Sequence, residues 1–335
     1  MIDNYFNAFI IKETDGKFIR TIEKKHITKL PANEVLIKVS YSSLNYKDAL
    51  SSIGHRGVTK KYPHTPGIDA AGIVVSSKSK FYSAGDEVIV TGYDLGMNTP
   101  GGFAEYISVP ADWIVKMPEN LTMKESMLIG TAGFTAALSL YKLQQFGIRS
   151  SDDKILVTGA SGSLGSLAVS ILSKAGYKNI VAATGKIEKS DILKKLGAWQ
   201  VVNRNNNDID DKSNKPMLSG RWSGVIDSVG GNILSTAIKS AKYGGVIAAC
   251  GLTQSFNFNA TVYPFILRSV SLIGIDSAAC PMETRSRIWN KLSGEWKINT
   301  LNYIYEEISL KELEKKINLM LVGKNAGRVI INLEK

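Results

Sequence analysis

A short apolar strand followed at once by a glycine-spaced turn constrains this chain more than any other feature. The strand is Ile155-Leu156-Val157, and the turn is Thr158-Gly159-Ala160-Ser161-Gly162-Ser163-Leu164-Gly165. From Leu164 to Ala175 the apolar spacing is helical. Gly159, Gly162 and Gly165 carry no Cβ, so the backbone turns tightly, approaches a ligand and packs helix on strand. Unpaired N–H groups at the helix start, together with its dipole, favour an anion such as a pyrophosphate. The glycine spacing alone is a weak signal. The strand before it, the helix after it and a second strand at Ile180 to Ala183 give it weight.

That second strand ends in Thr184-Gly185-Lys186. An acid at this point would bond a free ribose hydroxyl, whereas a hydroxyl, a glycine and a cation suit a 2′-phosphate. NADPH is therefore the expected cofactor. The competing reading of Lys186 is an ordinary solvated lysine at a strand end.

The length of 335 residues suggests about two domains. No uninterrupted apolar run is long enough for a bilayer, and Met1 to Tyr5 lacks the basic start and apolar stretch of a secretory signal. Only Cys250 and Cys280 occur, which argues against a disulfide scaffold and fits a reducing, cytoplasmic location. Cys250 ends an apolar run and reads as a small core residue. The net charge of +11 comes from scattered lysines, without a nucleic-acid module. It reads either as a generally basic surface or as a field for a polyanionic substrate. Neither nucleic acid nor membrane is expected as a partner.

Several chemistries lack their residues. The histidines are His26, His55 and His64, and no Cys-x-x-Cys pair occurs, so no metal site is expected. His64, ahead of Thr65-Pro66, reads as a surface histidine. No Gly-x-Ser-x-Gly elbow stands with a plausible base. Redox chemistry would then run on the cofactor, with the protein orienting and polarising an acceptor.

The first third is rich in short strands: Ala8 to Ile11, Glu34 to Ser40, Ala70 to Val75, Glu87 to Thr91, Phe103 to Val109 and Trp113 to Lys116. This density predicts a curled β-domain over residues 1–122. One helical pattern spans Met123 to Leu143. Strands at Ile155, Ile180, Gly224, Gly245 and Ser271 then alternate with helices at Leu164, Ser190 and Asn232, as in a doubly wound parallel sheet. A dinucleotide domain is expected over 123–270, with 271–335 forming a sheet edge and a return. Ser309 and Glu312 mark a helix start, and Arg328 to Leu333 reads as a strand that rejoins the first domain.

Taken together these segments resemble the medium-chain dehydrogenase/reductase superfamily, in its zinc-free quinone oxidoreductase branch and near its NADPH-dependent acryloyl-CoA reductases. The resemblance spans nearly the whole chain. It is carried by Ser42-Ser43-Leu44-Asn45-Tyr46-Lys47-Asp48-Ala49-Leu50, Pro66-Gly67-Ile68-Asp69-Ala70-Ala71-Gly72 and Ile129-Gly130-Thr131-Ala132-Gly133-Phe134-Thr135-Ala136. Leu193-Lys194-Lys195-Leu196-Gly197-Ala198, Ala249-Cys250-Gly251-Leu252 and Pro264-Phe265-Ile266-Leu267-Arg268 add to it. The zinc enzymes of the superfamily carry a cysteine at Leu44-Asn45-Tyr46 and Gly-His-Glu at Gly67-Ile68-Asp69. This chain has neither. The implied fold is a chaperonin-10-like β-domain, completed by the C-terminal strand, plus a Rossmann domain.

The resemblance further implies a set of site residues. Tyr46 would face the nicotinamide, Ser161 through Leu164 the pyrophosphate, and Thr184, Gly185 and Lys186 the 2′-phosphate. The family has Arg where Lys186 stands, so a bidentate fork is lost. Arg204, Leu252, Ile266, Ser277 and Arg328 would complete the cofactor contacts. Leu252 and Ile266 read equally as core, Arg204 as a solvated loop cation and Arg328 as a strand-edge charge. Tyr46 is the first catalytic candidate, Asn45 an amide donor and Asp48 its holder; the alternative for Asn45 and Asp48 is a structural turn. The activity implied first is reduction of acryloyl-CoA to propanoyl-CoA by NADPH. Quinone or enone reduction, and a non-catalytic NADPH sensor, are the alternatives. A homodimer is expected from the resemblance alone.

Overall fold

Two ten-residue strands on either side of Asp15-Gly16 form the first hairpin, β1 (Tyr5–Thr14) and β2 (Lys17–His26), with Thr14 opposite Lys17. Asp15 and Gly16 both take positive φ, 50° and 73°, as a two-residue hairpin turn requires. The sequence does not announce β2, because four cations interrupt it and none of its residues is fully buried. The computed structural model describes residues 5–325 and 327–335. Residues 1–4, which carry most of the expectation about a secretory signal, lie outside the described residues.

Next come β3 (Val35–Ser43), α1 (Tyr46–Ser51), β4 (Asp69–Ser77), β5 (Glu87–Thr91), β6 (Tyr106–Val109) and β7 (Ile114–Lys116). Alternate residues such as Val35, Ile37 and Val39 point into one apolar core with Val74, Val88 and Ile107. The strand expected from Phe103 begins only at Tyr106. Phe103 N–H donates instead to Pro66 O (3.1 Å), and its carbonyl accepts from Phe9 N–H (2.8 Å).

The helical pattern at Met123 forms α2 (Met123–Gln145), but Gly130 breaks it with φ 49° and ψ −160°. A Cβ at Gly130 would lie 2.3 Å from Arg328 Nη2 and 2.6 Å from Asp69 Oδ2. The kink is therefore built around two buried charges, and glycine is required on both backbone and steric grounds.

The alternating region gives β8 (Lys154–Val157), α3 (Ser163–Lys174), β9 (Asn179–Thr184), α4 (Ser190–Lys195), β10 (Gln200–Asn203), β11 (Trp222–Asp227), α5 (Gly231–Lys239), β12 (Ala241–Ala249), α6 (Tyr263–Arg268) and β13 (Ser271–Gly274). All pairs are parallel, in the order β10-β9-β8-β11-β12-β13. The order reverses between β8 and β11, and in open α/β sheets ligands bind outside the strand carboxyl ends at that point.

The chain closes with α7 (Met282–Ser293), β14 (Tyr305–Ile308), α8 (Leu313–Leu321) and β15 (Arg328–Asn332). Ser309 N–H donates to Glu312 Oε2 at 2.9 Å, ahead of a single turn that leads into α8. β15 pairs antiparallel with β3 and parallel with β14, so the larger sheet runs β14-β15-β3-β4-β5-β7 with β6 beside β3. The C-terminal strand does complete the N-terminal sheet. Two compact units result. One holds residues 1–131, 278–287 and 305–335; the other holds 132–277 and 288–304. Among the described residues no helix is long and apolar enough to cross a membrane.

Gly130→Ala should lower the free energy of unfolding by about 3 kcal/mol, since both φ/ψ strain and a clash with buried polar atoms oppose it. Urea denaturation of both proteins checks this, and a change below about 0.5 kcal/mol contradicts the role given to the kink.

Candidate active site

The glycine turn has the form its spacing predicts. α3 starts at Ser163 with Gly162 as its N-cap; no side chain caps the helix and no acid sits in its first turn. Gly159 has φ +61°, and a Cβ on Gly165 would lie 2.3 Å from Gly159 O, so both positions need glycine for the turn to close on the helix. Gly162 N–H bonds Gly159 O at 2.9 Å. Ser161, Ser163 and Leu164 are partly exposed around an anion-favouring helix start.

The end of β9 lies against this turn. Ser161 and Thr184 hydroxyls are 2.7 Å apart, and Lys186 N–H donates to Thr184 Oγ1 at 2.9 Å. Arg204 N–H donates to Thr184 O at 2.9 Å, and a Cβ on Gly185 would meet Arg204 Nε at 2.9 Å. Glycine at 185 thus lets the Arg204 guanidinium lie along the strand end near Lys186. Two cations, a bare backbone and an uncapped helix fit a phosphorylated dinucleotide. Sequence reasoning placed Arg204 only through resemblance, and the structure brings it to the same strand end as Lys186.

Leu252 and Ile266 are 62% and 71% exposed, which removes the core reading of both. Leu252 follows β12 and Ile266 lies on α6. Ser277 follows β13 and accepts from Thr135 Oγ1 at 2.7 Å.

Around Tyr46 the polar groups are heavily committed. Tyr46 opens α1 and is 46% exposed. The Asn45 amide donates to Ser43 O (3.1 Å) and Asp69 Oδ2 (2.8 Å), and its oxygen accepts from Arg328 Nη1 (3.1 Å). Both amide protons are used within the fold, so Asn45 holds the turn and is not the free donor expected of it. Asp48 is fully buried and accepts from the backbone N–H groups of Asn45 (2.8 Å), Gly67 (3.0 Å) and Ile68 (3.0 Å). Burial pushes its carboxyl up to about 7, assisted by the Asp69 charge and opposed by those N–H donors.

Arg328 differs from its expected part as a cofactor contact. It has no exposed surface, and it donates to Leu128 O (3.0 Å), Met127 O (2.9 Å), Ser43 Oγ (2.5 Å) and Asn45 Oδ1. It also pairs with the equally buried Asp69 at 3.6 Å. Asp69 in turn accepts from Ser43 Oγ (2.6 Å) and from Thr131 N–H (3.0 Å), at the start of the second half of α2. A negative charge there complements the helix dipole. Sequence reasoning used Asp69 only to exclude zinc. The available signal was an acid opening the otherwise apolar run Asp69-Ala70-Ala71-Gly72-Ile73-Val74, which demands a buried partner.

His64 differs from its surface reading. His64 is buried, with Nε2 2.9 Å from Gly96 O, and burial lowers its basicity. Cys250 is partly exposed; its Sγ donates to Asp227 O at 3.1 Å, and desolvation pushes its thiol up to about 12, which leaves it unreactive. Among the described residues no group of three or more His, Cys, Asp or Glu is placed to hold a metal. The positive charge is unevenly spread: the unit holding 132–277 and 288–304 has 18 Lys and Arg against 10 Asp and Glu, the other 23 against 20.

Residues 31–119 match the alcohol dehydrogenase GroES-like domain, and residues 163–293 match the zinc-binding dehydrogenase family. YhfP of Bacillus subtilis, provisionally named a quinone oxidoreductase, is 47% identical over 91% of this chain and 92% of its own. Its structure with NAD bound superposes with a TM-score of 0.95 over 98% of this chain and 99% of that one, at 44% identity. The acrylyl-CoA reductase AcuI of Ruegeria pomeroyi is 38% identical over 98% and 99% of the two chains. The yhdH oxidoreductase of Salmonella enterica, solved in complex with NADP, gives a TM-score of 0.94 at 38% identity, over 98% and 99%. The chain belongs to the medium-chain dehydrogenase/reductase superfamily, in its zinc-independent quinone oxidoreductase branch. Family membership makes it an oxidoreductase.

Because the Asp48 carboxyl titrates higher in the folded chain than in the unfolded one, the folded state holds the extra proton between about pH 4 and about pH 7. Its stabilising contribution is therefore present at low pH and is lost as pH rises toward about 7. The stability difference between wild type and Asp48→Asn, measured by urea at pH 5, 6, 7 and 8, should shift against wild type up to about 7 and then level off. A difference that is flat, or that moves in wild type's favour, contradicts this.

Proposed function

We propose that this chain is an NADPH-using reductase of carbon–carbon double bonds conjugated to a carbonyl group. The observation that carries the cofactor choice is the strand end Thr184-Gly185-Lys186 with Arg204 alongside, where two cations stand in place of an acid. The NADP-bound yhdH structure supports this reading, whereas the NAD-bound yhfP structure supports a looser preference. Lysine at 186 fits such a preference, since it contributes charge without a fork.

When bound, the cofactor supplies the hydride. The chain's own residues do the remaining work. The α3 start holds the pyrophosphate, Lys186 and Arg204 hold the 2′-phosphate, and Leu252, Ile266 and Ser277 line the cofactor site. Tyr46 orients the reacting ring or relays a proton, while Asn45 and Asp48 hold the turn that presents it. Preorganised donors aimed at the acceptor's carbonyl oxygen would stabilise the charge that develops there by several kcal/mol.

Within this class, enones and quinones are the first substrates. The 47% identical relative carries the quinone oxidoreductase name, and the surplus positive charge lies on the nucleotide-binding unit, where NADPH itself accounts for it. A CoA thioester, acryloyl-CoA reduced to propanoyl-CoA, is the second reading, supported by the 38% identical AcuI. A cytoplasmic homodimer belongs to the proposal; the exposed Val262, Tyr263 and Leu267 before the edge strand β13 support self-association.

Steady-state turnover with NADPH and with NADH, against a simple enone, a quinone and acryloyl-CoA, tests the reading. NADPH-dependent turnover of the enone or quinone supports it, and turnover of acryloyl-CoA alone would reverse the order of the two substrate readings. Lys186→Ala and Arg204→Ala should each raise KM for NADPH about tenfold while leaving NADH use nearly unchanged, as expected for a lost charge-assisted contact. Unchanged NADPH kinetics in both variants would contradict the phosphate assignment.

A further inference from the structure

At the carboxyl ends of β8 and β11, where the strand order reverses, a side-chain latch extends the sheet ladder. The ladder itself ends with Thr158 N–H on Ile226 O at 3.1 Å. Beyond it, Thr158 Oγ1 donates to Asp227 Oδ1 at 2.7 Å and accepts from Ser228 N–H at 3.0 Å. Ser228 Oγ donates to Thr158 O at 2.9 Å, and Gly230 N–H donates to Asp227 Oδ2 at 2.8 Å. Thr158 and Asp227 are both buried. Gly159, the first glycine of the turn, packs directly on this latch: a Cβ there would stand 2.5 Å from Ser228 Oγ. On the other side Asp227 O accepts Cys250 N–H at 2.8 Å, which ties the latch to the segment that carries Leu252.

A parallel sheet does not need a buried carboxylate, because its ladder and apolar faces already hold it. An apolar pair at 158 and 227 would pack there but would not set the distance between Gly159 and β11. A fully bonded polar network specifies such a distance where packing alone does not. We propose that Asp227, acting through Thr158 and Ser228, is a positioning residue for the nicotinamide cofactor, fixing the Gly159 turn at the strand-order reversal. This rests on the cofactor reading above. The latch touches the turn shared by NADH and NADPH, and its bonds named above involve Thr158, Asp227, Ser228 and Gly230, so its loss affects both cofactors alike.

Calorimetric titration of NADPH and NADH into wild type, Thr158→Val, Thr158→Ser and Ser228→Ala tests this, at a temperature where thermal melts show each variant folded. Thr158→Val removes both bonds of Oγ1, the one to Asp227 and the one from Ser228 N–H, and should raise both dissociation constants about tenfold. Ser228→Ala, which removes a single bond to a carbonyl and leaves Asp227 paired, should raise both about threefold. Thr158→Ser keeps the hydroxyl and should restore both constants to within about twofold of wild type. Wild-type constants in both Thr158→Val and Ser228→Ala, or a loss confined to one cofactor, overturn the inference. Wild type binding neither cofactor overturns the cofactor reading and this inference with it, whereas binding by wild type with intact variants overturns the latch alone.

Discussion

Asp69 and Arg328, neither with any exposed side chain, lie 3.6 Å apart where β4, β15, the Tyr46 turn and the kink of α2 converge. A buried guanidinium without its carboxylate is expensive, and so is the reverse, so neither residue is dispensable alone. Their surroundings account for the rest of that unit. Asn45 bridges the two, Ser43 touches both, and Thr131 N–H donates to the carboxylate. Gly130 lacks a side chain because the ion pair occupies that volume. The last strand of the chain is thereby tied to its first third, and the tyrosine presented by the turn inherits a fixed base. Tyr46 itself stays exposed.

The nucleotide-binding unit follows a different logic. Here three glycines, an uncapped helix start and a strand end with two cations stand together. Charge is concentrated in this unit, where a polyanionic cofactor gains from it both in affinity and in rate of encounter. The two units thus divide the work. One buries an ion pair beneath the Tyr46 turn, and the other combines a glycine turn with surplus positive charge.

Much of this was legible in the amino acids. The parallel sheet follows from strand-turn-helix alternation, and the glycine turn sits where its spacing puts it. The return of Arg328 to Asn332 to the first sheet was readable from an isolated apolar run late in the chain. Less legible were elements lacking periodicity. β2 carries four cations, β14 is the four residues Tyr305–Ile308, and α7 distributes Glu283, Arg285 and Arg287 over its first turns. The roles of Asn45 and Arg328 misled because a polar side chain in a motif says nothing about where its protons go. Only the fold shows Asn45 spent on Asp69 and Ser43, and Arg328 spent on carbonyls of α2. Asp69 and Asp227 were legible in principle, as single acids within apolar runs that cannot be buried unpaired.

The buried pair of Asp69 and Arg328 works as one unit holding the Tyr46 turn. A double-mutant cycle measures it most directly, with urea unfolding of wild type, Arg328→Met, Asp69→Asn and the double variant. Each single change should cost about 3–5 kcal/mol, and the double far less than their sum, giving a coupling of about 2 kcal/mol or more. Costs that add to within about 0.5 kcal/mol would show two independent residues and contradict the account.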